Sequence, residues 1–138
     1  MRKTALLFFL SLCLSLSLGA RTAFAQNDYV PTACANIKDP SQLRICETAK
    51  ALKTPIYATS NVIFFLTAEK TIAACSFKTT KAFSDMKNQI HSNPKISYIY
   101  DAVKTSDKFE FKTPTSEECG GLRDMYKSIK FEDNPIIE

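Results

Sequence analysis

The chain has 138 residues, of which 45% are hydrophobic and 23% charged, and it carries five cysteines and a formal net charge of +4. This length fits one domain. Residues 1–25 hold three of the positive charges and no acid, so the rest of the chain carries only +1, which argues against a strong electrostatic surface for nucleic acid or acidic lipid.

Residues 1–25 have the three parts of a secretory signal peptide. Arg2 and Lys3 give a positive start, an apolar run follows, and the stretch ends in Ala-Phe-Ala, the small-x-small form of a cleavage site. The apolar run is short for a membrane span, which needs about 20 residues, and no later segment is long and apolar enough. We therefore expect cleavage after Ala25 and export of residues 26–138 to a bacterial periplasm or the medium.

Cleavage would remove Cys13 and leave an even number of cysteines: Cys34, Cys46, Cys75 and Cys119. An even set in a short exported chain is typical of disulfides. The 11, 28 and 43 intervening residues match neither the CxxC pairs of zinc sites nor those of thioredoxin-like redox sites. We predict two disulfides that join helices, and the spacing leaves open which of the three pairings forms.

Short helices are predicted after an initial helix or irregular arm at residues 27–38. Asp39 suits an N-cap and Pro40 the first helical position. Apolar residues then recur at helical spacing: Ile45, Ala49, Leu52 and Ile56. Pro55 either kinks this helix or starts a second one, with Thr54 as the cap. Residues 62–66 fit a buried strand or a buried helical turn, and the continuing apolar stripe favours the helix.

Two further helices are predicted in the middle of the chain. Thr80 is a candidate cap for the first, and Asn93, followed by Pro94, for the second. The expected buried faces are Phe83, Met86 and Ile90 in the first helix, and Ile96, Ile99, Tyr100 and Val103 in the second.

One more helix is predicted near the end of the chain. Residues 107–114 alternate apolar and charged side chains and are expected to be extended. Thr115 and Glu118 have the spacing of a capping box, followed by a helical stripe of Cys119, Leu122, Tyr126 and Ile129. Residues 134–138 are expected to form a loose tail. The sum is an all-α fold, a compact bundle of four or five short helices stapled by two disulfides, in one domain of residues 26–138.

Catalytic chemistry is not indicated by the side chains present. His91 is the only histidine, and its place at a predicted helix end suits contact with the terminal carbonyls better than the role of a base for a serine or cysteine nucleophile. Glu117 and Glu118 are adjacent acids, one of them explained by capping. No phosphate-binding loop or haem-attachment motif is present. We predict a non-enzymatic protein with no cofactor and no metal site.

A binding surface is predicted on the helix that begins at Pro94. If its apolar face points inward, Tyr98 points outward, with Lys95 and Asp101 nearby. Exposed tyrosines often anchor protein interfaces, although single surface aromatics are also common. We predict that Tyr98, Lys95 and Asp101 contact a protein partner.

The cysteine spacing and helix order span most of residues 30–119, with matching pieces at residues 34–40, 44–46, 74–75 and 81–104. In these features the chain resembles small periplasmic helical proteins that act as immunity proteins against type VI secretion effectors. The resemblance implies a helical, disulfide-bonded protein that binds and blocks a toxic effector.

Residues 73–87 also resemble a stretch of small periplasmic acid-stress chaperones, which are helical and disulfide-bonded. That resemblance implies a protein that opens in acid and exposes apolar surface to many clients. A secreted effector of unknown target is a third interpretation, and an enzyme is a fourth. An immunity protein would bind one toxin at neutral pH, whereas a chaperone would act only in acid.

Overall fold

Residues 29–138 are described by a computed structural model. The predicted signal peptide, with Cys13 and the cleavage site, lies outside these residues. Within residues 29–138 the chain forms five helices and a short hairpin: α1 Pro40–Leu52, α2 Ile56–Ala74, α3 Lys81–Ser92, α4 Pro94–Thr105, α5 Ser116–Ser128, β1 Lys130–Phe131 and β2 Asn134–Pro135. The prediction of an all-α fold is confirmed.

Helix α2 lies at the centre of the fold and contacts α1 and α4. It is apolar on most of its faces, which is typical of a helix surrounded by others. Phe65, which is 1% exposed, stacks on Phe83 of α3 at 5.5 Å between ring centroids and lies 6.1 Å from the Tyr100 ring of α4. Residues 62–66 are therefore a buried helical segment, as predicted.

Three of the predicted helix caps are present. The side chains of Asp39, Asn93 and Thr115 each accept a hydrogen bond from a backbone N–H in the first turn of their helix, at 2.9, 3.1 and 3.2 Å. Glu118 completes the capping box by accepting from the Thr115 N–H at 2.8 Å. Each cap gives a partner to an N–H that the helix leaves unpaired, which explains why α1, α4 and α5 begin where they do.

Each disulfide joins two cysteines that follow one another in the described part of the chain. Cys34 pairs with Cys46, with Cα atoms 6.0 Å apart, and Cys75 pairs with Cys119 at 5.5 Å. The first bridge ties the irregular arm of residues 29–39 to α1, rather than joining two helices as predicted. The second ties the end of α2 to the first turns of α5.

The carboxyl terminus is not the loose tail that we predicted. Ile136 and Ile137 are 0% and 1% exposed and belong to the main core. The Ile136 N–H donates to the Ile129 carbonyl, and the Ile136 carbonyl accepts from the Thr80 N–H, both at 3.1 Å. The prediction was wrong because the two adjacent isoleucines pack into the core beside α3. The free energy gained by burying them is enough to order this short segment.

A tight turn directs this segment back onto α3. Strands β1 and β2 pair antiparallel, and the two residues between them, Glu132 and Asp133, have φ of 49° and 65°. Positive φ at both positions is the mark of the type I′ turn that suits two-residue hairpins. Thr80 occupies the N-cap position of α3, as predicted, but its hydroxyl donates to the Pro135 carbonyl and so holds the hairpin instead of capping the helix.

Between α4 and α5, residues 106–115 contain neither helix nor strand. The Arg44 Nε of α1 donates to the Lys108 carbonyl at 2.9 Å. Phe111 is half-buried, and the Lys70 Nζ lies 5.7 Å from its ring centroid. The segment predicted to be extended is therefore an ordered crossing that α1 and α2 hold in place.

Candidate partner-binding site

A groove of about 510 Å³ lies between the starts of α2 and α4. Its lining comes from the α1–α2 junction and from the first two turns of α4: Lys53, Thr54, Pro55, Ala58, Pro94, Lys95, Ile96, Tyr98 and Ile99. Its size falls within the range of about 300–1,000 Å³ that is usual for ligand pockets. Six of its nine lining residues are apolar, so the groove offers an apolar surface with a few polar groups.

The α1–α2 junction forms one wall of the groove. Lys53 ends α1 in the left-handed conformation, with φ 54° and ψ 44°, and the Thr54 N–H donates to the Ala49 carbonyl at 2.9 Å. This bonding is that of a Schellman motif, which ends a helix sharply. Pro55 then occupies the N-cap position of α2. Pro55 therefore separates two helices rather than kinking one.

Thr54 does not cap α2 as predicted, but its hydroxyl fixes the junction in another way. The Thr59 hydroxyl donates to the Pro55 carbonyl at 2.8 Å and lies 2.7 Å from the Thr54 hydroxyl. Because the Thr59 hydrogen is already used, Thr54 donates to Thr59. Both threonines are almost fully buried, so these two bonds hold the wall of the groove in one conformation.

Helix α4 forms the opposite wall and part of the floor. Asn93 caps the helix and Pro94 fixes its first turn, which sets the direction of the residues that follow. Ile96 and Ile99 are 4% and 2% exposed, so they form a closed floor together with Ala58 of α2.

Two of the three residues predicted to bind a partner lie at this groove. Tyr98 is 59% exposed although its neighbours Ile99 and Tyr100 are buried, and both Tyr98 and Lys95 line the groove. Asp101 is exposed further along α4 and does not line it. The structure thus brings Tyr98 and Lys95 together with α2 and leaves Asp101 outside.

Lys53, Pro55 and Ala58 were not predicted from the sequence as part of this site. They precede Tyr98 by about 40 residues, and helical periodicity within one segment gives no information about which helix ends meet. The helix break at Lys53-Thr54-Pro55 was a local signal for a helix end, but nothing in it identified α4 as the neighbour.

Apart from the groove, a cluster of polar side chains lies where α2, α3 and α4 meet. The Lys87 Nζ donates to Glu69 Oε1 at 2.7 Å, and the Tyr100 hydroxyl donates to Glu69 Oε2 at 2.8 Å. The His91 ring meets the Tyr100 ring edge-on at 4.7 Å, and the Lys104 Nζ lies 5.6 Å from that ring. His91, near the end of α3, therefore contacts the Tyr100 ring of α4.

The carboxyl of Glu69 is held in its charged form. Partial burial raises its pKa, but the hydrogen bonds from Lys87 and Tyr100 and the charges of Lys87 and Lys104 outweigh burial, so that the pKa of Glu69 is below its usual value of 4.5. Burial and the neighbouring Glu69 carboxylate raise the pKa of Tyr100, so its hydroxyl stays protonated and remains a donor. The cluster is a charge-assisted contact between three helices.

A smaller cavity of about 350 Å³ lies between the start of α3 and the hairpin, lined in part by Thr80, Asp85 and Glu132. There the Asp85 carboxylate forms an ion pair with the Lys81 Nζ at 2.7 Å. The two residues are one helical turn apart and both side chains are exposed. Within residues 29–138, no group of three or more histidine, cysteine, aspartate or glutamate side chains is placed to hold a metal ion.

No protein-family model, curated protein or solved structure matches the chain. Among residues 29–138, no helix is both long enough and apolar enough to cross a membrane. Two disulfides in the same residues are typical of proteins that fold in an oxidising compartment outside the cytosol.

Proposed function

We propose that this protein is a non-enzymatic binding protein of the immunity type, which occludes a toxic effector in the periplasm. The observation that carries the proposal is Tyr98, an exposed aromatic side chain at the edge of an apolar groove. Export rests on the predicted signal peptide and is supported by the two disulfides.

The surroundings of Tyr98 suit an interface anchor. Aromatic side chains beside a pocket are common among the few residues that dominate binding energy. The groove walls are held by the Thr54–Thr59 hydrogen bonds on one side and by the Asn93 cap on the other. A surface that is already ordered loses less conformational entropy on association, which favours a tight complex.

Replacing Tyr98 with alanine is expected to weaken binding to the effector by about 2 kcal/mol, because the change removes an aromatic anchor. The free energy of unfolding should change by no more than about 0.5 kcal/mol, since the side chain is mostly exposed. Candidate effectors are toxin-like products of neighbouring genes and exported proteins recovered by pull-down. Calorimetric titration at neutral pH measures the affinity, and urea unfolding measures the stability.

Tyr29 supplies a matched control. It is 56% exposed but does not line the groove, so Tyr29→Ala should bind the effector like the wild type. If Tyr98→Ala also binds like the wild type, the interface lies elsewhere. If the wild type captures no effector at neutral pH, the proposal fails.

An acid-stress chaperone is the second candidate, and the Glu69 cluster is the observation that favours it. Because the folded-state pKa of Glu69 is lowered, its contribution to stability is present above about pH 4.5 and is lost as the pH falls through the lower folded-state pKa. Protonation would weaken a contact that joins α2, α3 and α4, and so loosen the bundle in acid.

Replacing Glu69 with glutamine is expected to lower the free energy of unfolding by about 1–2 kcal/mol near pH 7, because the bonds from Lys87 and Tyr100 lose their charged acceptor. The difference should shrink as the pH falls through the lowered folded-state pKa of Glu69, since the carboxyl is then protonated in both folded and unfolded protein. Urea unfolding near pH 7 and at successively lower pH values measures both effects. The control Asp85→Asn, in an exposed ion pair, should change stability little.

The two candidates are separated by activity in acid. A chaperone should suppress aggregation of unrelated client proteins near pH 2–3 and be inactive near pH 7. A wild-type protein that stays folded near pH 3 and protects no client rules out the chaperone and leaves the immunity proposal.

A further inference from the structure

We infer that the groove beside Tyr98 takes an acidic segment of a partner protein that also carries an apolar side chain; the inference rests on the proposed binding function and specifies the chemistry of the partner. The charges that line the groove are of one sign. Lys53 and Lys95 are both among its nine lining residues, and no aspartate or glutamate is.

Both lysines are available to a partner. Lys53 and Lys95 are exposed, and neither forms an ion pair within residues 29–138. In the same part of the chain Lys78, Lys81 and Lys87 are each within 3 Å of a carboxylate. The groove therefore presents cationic groups that the fold itself leaves without a counter-charge.

The helix ends at the groove carry partial charges of both signs, because α1 ends at Leu52 and α3 at Ser92, directly before α2 and α4 begin. Helices α2 and α4 both begin at the groove walls, and a helix amino terminus carries a partial positive charge. Neither helix has an acidic residue in its first turn to offset that charge. Since the carboxyl ends of α1 and α3 oppose these helix starts, the two lysines are what favours carboxylates on the occupant.

The floor requires an apolar group as well. Ala58, Ile96 and Ile99 are each 5% exposed or less, and Pro55 and Tyr98 flank them. A small hydrophilic anion would leave this apolar surface in water. A peptide segment with an apolar side chain between acidic ones would cover the floor and reach both lysines, which satisfies both parts of the groove.

Peptide titration tests the inference without knowledge of the natural partner. The protein is produced as the full chain with its own leader, labelled with ¹⁵N and purified as the exported product. The probes are a short blocked peptide with two leucines flanked by glutamates and a second peptide with glutamines in place of the glutamates. The acidic peptide should shift the amide signals of Lys53, Ala58 and residues 95–99, and it should bind about tenfold more tightly than the glutamine peptide at low salt.

Charge-neutral variants locate the effect. Lys53→Gln with Lys95→Gln should weaken binding of the acidic peptide about tenfold and leave the glutamine peptide unaffected. The control Lys127→Gln with Lys130→Gln makes the same change in net charge outside the groove and should bind both peptides like the wild type. Equal affinity for the two peptides, signal shifts elsewhere, or no shifts at all would overturn the inference.

The outcome is separable from that of the proposed function. If Tyr98→Ala disrupts an effector complex but the two groove lysines can be neutralised without effect, the protein is a binder and the inference about charge is wrong. If the acidic peptide binds as expected but no effector is captured or neutralised, the groove chemistry holds and the immunity proposal fails.

Discussion

Replacing Ile136 and Ile137 together with alanine is expected to leave the protein mostly unfolded. Both side chains are essentially inaccessible to solvent and belong to the main core. Each isoleucine-to-alanine change in a core costs about 2–5 kcal/mol through lost transfer energy and a residual cavity. The two costs together approach the 5–15 kcal/mol that is roughly the whole stability of a typical domain.

Urea unfolding followed by far-ultraviolet circular dichroism measures this loss for the double variant and for each single variant. Lys130→Ala is the control, since Lys130 is exposed in the neighbouring strand β1, and its stability should stay within about 0.5 kcal/mol of the wild type. An unchanged unfolding midpoint in the double variant would mean that residues 134–138 form a loose tail, as the sequence alone suggested.

Removing the Cys75–Cys119 bridge is expected to cost about 4 kcal/mol, and removing the Cys34–Cys46 bridge about 3 kcal/mol. The difference follows from the sequence separations of 44 and 12, because a longer closed loop removes more conformational entropy from the unfolded chain. Each bridge is best removed by replacing both of its cysteines with alanine, which leaves no free thiol.

The two double variants serve as controls for each other, because each keeps one bridge. Urea unfolding gives their free energies of unfolding, and thiol labelling of the denatured, non-reduced wild type should find no reactive cysteine. A larger loss for the Cys34–Cys46 variant would contradict the loop-length argument. It would show that the arm of residues 29–39 is held mainly by that bridge.

The helix starts were predictable because their signals are local. Asp39 before Pro40, Asn93 before Pro94 and the Thr115–Glu118 pair each satisfy N–H groups within a few residues, and no distant contact is needed to form them. The same holds for the buried face of α4, which follows from helical spacing alone.

The carboxyl terminus was not predictable because its cause is tertiary. The hairpin turn uses Glu132 and Asp133 rather than the Asn-Gly or Asp-Gly that usually marks a type I′ turn, so the sequence lacks the hairpin signal. Each strand has only two residues, too few to show alternation. The burial of Ile136 and Ile137 beside α3 decides the conformation of this segment. The sequence does not show that α3 is its neighbour.

The candidate site was likewise predictable only in part. Tyr98 and Lys95 could be placed on an exposed face from the period of α4. Lys53 and Ala58 could not be assigned to the same groove, since that depends on how α2 crosses α4. The three possible cysteine pairings were likewise equal in sequence terms. The fold decides between them by placing the arm with Cys34 beside α1 and the end of α2 beside the start of α5.

The order of the bridges bears on how the protein acquires them. In residues 29–138 each bridge joins a cysteine to the next one along the chain. A chain exported with its amino terminus first presents Cys34, Cys46, Cys75 and Cys119 to the oxidising compartment in that order. If each thiol is joined to the next to emerge, the native connectivity forms directly, with no wrong bridge for thiol–disulfide exchange to correct. An exported chain that followed this route would need an oxidase but no disulfide isomerase.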